Sequence, residues 1–125
     1  MTDHPNARGL IYIAGPMTLY GPPNWGYEHF ADMAKRLRAA GFDVISPHEL
    51  HGPEDAPQYG DDDPDSAWGW FLRRDIRELA KCGRIVMLPD WEKSRGAQLE
   101  FTVAKALEME IIYAHEVDDL LKAAA

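Results

Sequence analysis

Two acids, Glu100 and Asp75, stand on helical stripes that are otherwise apolar. Counting on from Glu100, the residues three, four and seven positions later are Val103, Ala104 and Leu107. A carboxylate in line with such residues points toward a core. Burial raises its pKa, while the helix N-terminus pulls it down. Asp75 repeats the pattern, with Phe71 and Leu72 before it and Leu79 four positions after. Asp is a poor helix former at mid-helix. Ion pairing with Arg73, Arg74 or Arg77 explains it badly, because neighbours one or two positions apart on a helix do not face each other. A first-turn acid and an edge position reaching water are the plain alternatives. If both acids flank one crevice, the chemistry they suit is glycosidic. One attacks the anomeric carbon and the other manages the proton of the leaving group.

The elements that must position them read off in order. Residues 1–9 are polar and form a loose arm. Leu10 to Ala14 is a short β-rich run stopped by Gly15-Pro16, and residues 17–24 read as a loop. A helix over 25–40 is signalled by Phe30, Met33, Ala34 and Leu37, and Gly41 closes it. A second strand spans 42–46. Residues 47–65 are a long irregular segment with four prolines and the run Asp61-Asp62-Asp63. Ser66 is read as the N-cap of a helix reaching Lys81. A strand over 85–88, a helix over 97–108, a strand over 111–113 and a short terminal helix complete the chain.

Strands alternating with helices predict a three-layer α/β fold, a flavodoxin/Rossmann-like parallel sheet of four to five strands with helices on both faces. The strand order expected is 2-1-3-4, which places a topological switch between the first and third strands. Two loops meet there, Gly15 to Thr18 and Pro89 to Gly96. The 125 residues make a single domain, 1–125. The formal net charge of −8 excludes a nucleic-acid polymer or an anionic membrane as partner, since phosphate backbones demand a basic footprint. The lone Cys82, the lack of an apolar leader and the lack of a spanning segment predict a cytoplasmic protein.

The segments Tyr12-Ile13-Ala14-Gly15-Pro16-Met17, Phe71-Leu72-Arg73-Arg74-Asp75, Leu88-Pro89-Asp90-Trp91-Glu92 and Ser94-Arg95-Gly96-Ala97-Gln98-Leu99-Glu100 carry a family likeness. Across residues 10–113 the chain resembles the nucleoside 2-deoxyribosyltransferase superfamily, which includes nucleoside 5′-monophosphate N-glycosidases. The resemblance implies cleavage of the N-glycosidic bond of a (deoxy)nucleoside or its 5′-monophosphate, by hydrolysis or base transfer, with no cofactor. It implies Glu100 as nucleophile and Asp75 as its helper. Tyr12, Gly15, Pro16, Met17, Asp90, Trp91, Ser94, Arg95 and Gly96 are the implied substrate-binding residues. Serine six positions before the nucleophile matches the members that hold a 5′-phosphate, although Ser94 also reads as an ordinary N-cap. A homodimer or larger homo-oligomer is expected on the same ground.

Three function classes follow: a glycosidic enzyme, a non-catalytic nucleotide-binding module of the same fold, and a partner-binding protein using Trp68 and Trp70. The stripe acids favour the first two. His48 and His51, with Asp55 and Asp61 to Asp63, are a poor metal set because they sit on a loop with no cysteine. No metal is expected, and that segment is read as a substrate lid. Cys82 is read as a small buried residue.

Overall fold

The computed structural model describes residues 9–21, 25–50 and 64–124. Four strands, β1 (Leu10–Ala14), β2 (Asp43–Ile45), β3 (Arg84–Met87) and β4 (Glu110–Tyr113), form one sheet of order β2-β1-β3-β4. All three pairings are parallel, with Tyr12 opposite Ile45 on one side and Ile85 on the other. The helices are α1 (Met17–Tyr20), α2 (Tyr27–Ala39), α3 (Pro64–Leu79), α4 (Arg95–Ala106) and α5 (Val117–Ala124). The expected fold class and strand order both hold.

Alternation along β1 sorts the core into two layers, because successive strand side chains leave opposite faces of a sheet. Ile11 and Ile13 pack with Phe30, Met33 and Leu37 of α2 and Val117 of α5. Tyr12 and Ala14 pack on the other face, with Leu79 of α3 and Ala104 of α4. Tyr12 therefore faces the layer that carries Glu100. At the amino end of the sheet, Arg84 and Glu110 are cross-strand partners and their side chains pair at 3.0 Å.

Several local expectations are corrected. Residues 17–20 form a one-turn helix, α1, within the span expected to be loop. Four residues are too few to show a 3.6-residue period, so the pattern cannot reveal it. Helix α3 begins at Pro64, which puts Ser66 inside the helix and not at its cap. Proline is favoured in a first turn, where its missing N–H costs nothing. Helix α2 starts at Tyr27, after Gly26 in the left-handed region. Leu107 is half exposed, so the buried line of α4 is Ala97, Glu100 and Ala104.

Pro47–Glu49 form a 3₁₀ turn. His51, Asp55 and Asp61 to Asp63 lie outside the described residues, as does the side chain of Trp68. Among the described residues no helix is long and apolar enough to cross a membrane. No cluster of three or more metal-ligating side chains occurs among them either.

Candidate active site

The carboxyl ends of β1 and β3 open onto a cavity of about 390 Å³. Gly15, Met17, Trp25, Tyr27, Phe30 and Pro47 border it on the α2 side. Phe71, Leu72, Arg74 and Asp75 come from α3, and Ser94, Gly96, Ala97 and Glu100 from the start of α4. The switch-point loops thus meet as the expected strand order implied.

Glu100 is buried, with only 5% of its surface exposed. The phenol of Tyr12, fully buried in the centre of β1, donates a hydrogen bond to Glu100 Oε2. Burial raises the pKa of Glu100 well above the usual carboxylate range, and the nearby charge of Asp75 raises it further. The Tyr12 bond and the Arg74 charge act the other way. Tyr12 itself is pushed up, first by burial and then by the charges of Glu100 and Asp75, so it stays a donor.

Burial also raises Asp75, to about 6, against the opposing pull of Arg74. Arg74 Nε and Nη2 both donate to Asp75 Oδ1, at 3.0 and 2.8 Å. The pairing of adjacent helical residues, poor on spacing alone, is therefore made. Adjacent helical residues diverge at Cβ, but the arginine is long enough to curl back on its neighbour. The same guanidinium lies 5.2 Å from the Phe71 ring and 5.9 Å from the Trp70 ring. Trp70, itself half-buried, meets Phe71 edge-on. Arg74 is thus held between aromatic rings and an acid, an arrangement that no spacing rule signals.

Ser94 is the N-cap of α4, its Oγ accepting from the Ala97 N–H at 3.3 Å. It is 5% exposed and borders the cavity. Among the described residues no acceptor takes its own hydroxyl hydrogen. The N-cap and cavity-wall descriptions of Ser94 are therefore compatible.

The remaining candidates separate. Gly15 and Met17 border the cavity, and Pro16 is fully buried between them. Arg95 is an exposed first-turn residue of α4. Asp90 and Trp91 do not border this cavity. They line a second one, about 410 Å³, together with Tyr113 and His115 at the ends of β3 and β4. Trp91 is stacked on Phe101 at 4.5 Å, so one of its faces is already used in packing. Asp90 pairs with Lys93 at 3.2 Å. Sequence reasoning missed Trp25, Tyr27, Phe30 and Pro47, which reach the cavity from elements remote in the chain. It also missed Arg74 as a wall residue.

His48 is not part of the cavity wall. Its Nδ1 lies 2.6 Å from the buried Ser46 Oγ, and its ring packs on Tyr27 and Phe30. Cys82 is buried, its thiol pushed up to about 12 by burial, which leaves it inert as a nucleophile.

Gly15 shows how closely the cavity floor is packed. A Cβ there would meet Leu88 Cδ1 at 2.8 Å and Phe30 Cζ at 3.0 Å. Gly15→Ala is expected to cost about 1–3 kcal/mol of stability through overpacking. A thermal melt checks it, and an unchanged midpoint would show that Leu88 and Phe30 yield freely.

A model of the family described as a domain of unknown function, DUF4406, matches residues 10–113. The chain belongs to that family. The match takes in all four strands of this DUF4406 chain, together with both acids and Tyr12. No curated protein matches it at a significant level. Among solved structures it is similar to a 2-deoxyribosyltransferase from the psychrotolerant bacterium Bacillus psychrosaccharolyticus, at a TM-score of 0.56 and 15% identity. The alignment covers 83% of this chain and 70% of that one. At that identity the likeness establishes a shared fold.

Proposed function

We propose that this protein cleaves the N-glycosidic bond of a (deoxy)nucleoside or nucleoside 5′-monophosphate through a covalent glycosyl-Glu100 intermediate. The observation that carries the proposal is a buried glutamate, held by a strand tyrosine, sharing one apolar cavity with a second acid of raised pKa. Acids perturbed by desolvation and by a charged neighbour in a cleft are candidates for a functional site. The fold likeness to a 2-deoxyribosyltransferase supports the same chemistry.

In the proposed reaction the Tyr12 bond holds Oε2 and leaves Oε1 of Glu100 to attack C1′. The bond from C1′ to the base breaks, its electron pair stays on the base nitrogen, and Asp75 supplies the proton. The result is a glycosyl ester of Glu100 and a free base. Water attacking C1′, its proton passing to the Asp75 carboxylate, completes hydrolysis. A second base attacking there, its N–H proton likewise passing to Asp75, completes transfer. Either way the carboxylate is released.

The protonation pattern imposes a condition. The two acids must hold one proton between them, with the charge on Glu100 and the proton on Asp75. Burial favours the opposite arrangement in the empty site, because Glu100 is the more deeply desolvated. A developing positive charge on the sugar reverses that preference, since it stabilises the nearby carboxylate. Incubating the protein with a panel of nucleosides and 5′-monophosphates and measuring free base tests the proposal. A 2-fluoro sugar analogue is expected to add its mass at Glu100. Failure of every substrate in the panel to release base would leave a nucleotide-binding module as the better reading.

Ser94 is the residue that selects a 5′-phosphate in this proposal. Its hydroxyl hydrogen, which has no acceptor among the described residues, and the N-terminus of α4 offer an anion site. Ser94→Ala is expected to lose about 1 kcal/mol of stability from the cap. It is also expected to lower turnover of 5′-monophosphates relative to the matching nucleosides. An unaltered ratio would reduce Ser94 to its capping role.

A further inference from the structure

Trp25 is an anomaly that the chemistry above does not use. Its φ is +55°, a left-handed conformation in which a bulky side chain is strained. The residue is 38% exposed although its side chain is large and apolar, and it borders the cavity. Such strain persists only where the surroundings enforce it, and here they do. The Trp25 N–H donates to the Gly21 carbonyl at 2.9 Å. Gly26, next in the chain, has φ +71°, and a Cβ on it would lie 2.0 Å from the Tyr20 ring. Tyr20 is in turn stacked on His29, with centroids 4.5 Å apart. The Tyr20 ring therefore fills the space beside Gly26, and Trp25, next to it, is held at the cavity border.

Tyr27, also 38% exposed, lies beside it on the same wall, and Phe71 and Leu72 border the cavity from α3. The polar groups, Glu100, Asp75 and Ser94, belong to α3 and the start of α4. The two acids and Ser94 thus lie on one side of the cavity, with Phe71 and Leu72 among them, and the α2 side is lined by Trp25, Tyr27 and Phe30. A ligand with a flat apolar face and a polar sugar suits that division.

We infer that Trp25 is the specificity-determining residue of this site, stacking the departing base and selecting bicyclic purines over pyrimidines. The inference rests on the proposed glycosidic function and adds its substrate class. A bicyclic base covers more of an indole face than a monocyclic one, and base–aromatic stacking grows with the area covered. Pre-setting the indole in a strained turn removes the ordering cost at the moment of binding.

The test uses the Glu100→Gln protein, which retains the cavity without turning substrate over. Calorimetry measures its affinity for 2′-deoxyadenosine and 2′-deoxycytidine, each also as the 5′-monophosphate. The purine is expected to bind at least fivefold more tightly. Adding Trp25→Gly is expected to weaken purine binding by about tenfold or more and to erase the preference. Because glycine relieves the positive φ, the melting temperature is expected to hold or rise, which separates loss of a ring from loss of structure. Trp25→Phe is expected to restore part of the preference. Equal affinities for the two bases, or a preference that survives Trp25→Gly, would overturn the inference alone. A preference lost together with a fall in melting temperature would also overturn it, leaving Trp25 a structural role. If Glu100→Gln binds none of the four ligands, the proposed function falls and takes this inference with it.

Discussion

Glu100→Gln is expected to reduce cleavage by at least a thousandfold while raising the melting temperature at alkaline pH. The two effects share one cause. Glu100 is 5% exposed and its pKa is raised first by burial. A group whose folded-state pKa lies above its unfolded value stabilises the fold fully only below the unfolded value. That contribution is lost as pH rises through the folded value. The wild-type protein must therefore either protonate Glu100 or bury its charge as pH climbs, and glutamine has neither cost. Gln still accepts the Tyr12 hydroxyl through its amide oxygen, so the packing is retained. The gap in melting temperature between variant and wild type should be small near pH 4.5 and widen by several degrees toward pH 8. In the proposed reaction catalysis is lost because an amide forms no glycosyl ester, and covalent nucleophiles are worth factors of this size. Scanning calorimetry across pH, with base-release assays beside it, reads both. A variant that is less stable than wild type at pH 8 would contradict the burial argument, and one that keeps full turnover would remove Glu100 as nucleophile.

Asp75→Asn carries the second large effect, on the pH profile. In the proposed reaction the acid pair works only when it holds a single proton, so its two ionisations bound the active range. The first loss lies near the Asp75 value of about 6, and the second lies higher, where burial holds the remaining proton. The value of kcat/KM is therefore expected to rise through about pH 6 and to fall again on the alkaline side. Asn in place of Asp75 removes the proton donor, which costs about 10²–10⁴ in rate. It also removes the alkaline limb, because no second proton remains to be lost. Stability should respond as well. Asp75 is raised from 3.8 to about 6, so its stabilising effect is complete below 3.8 and lost as pH rises through 6. The loss amounts to about 3 kcal/mol. Melting profiles of wild type and Asp75→Asn should converge in slope above pH 7 and diverge between pH 4 and 6. Parallel profiles throughout would show that Arg74 cancels the desolvation of Asp75 completely.

The fold was legible because two periods alternate along the chain. Strand-length apolar runs such as Leu10–Ala14 and helical repeats such as Phe30, Met33, Ala34 and Leu37 define the layers before any contact is known. The acids were legible for the same reason, since Asp75 and Glu100 interrupt apolar stripes. What the pattern could not carry is whatever depends on side-chain reach or on distant elements meeting. Arg74 folding onto its own neighbour is a matter of rotamer and not of spacing. Trp25, Tyr27 and Pro47 join the cavity through the packing of α2 and the turn after β2, which no local window contains. Asp90 and Trp91 sit in the right loop but on its other side, because the Phe101 ring draws Trp91 toward β4.

The hydroxyl–carboxylate contact between Tyr12 and Glu100 spans 88 positions of chain. Tyr12 lies in β1 with paired strands on both sides, so its phenol is aimed only after β2 and β3 have docked. Long closures of this kind form late, since their entropy must be met before any contact rewards it. An intermediate in which β1 and α4 are not yet docked leaves the carboxylate without its tyrosine partner. Turnover during refolding would be a clock for completion of the central sheet: it should appear together with amide-exchange protection of Ile11 to Ala14, and never ahead of it.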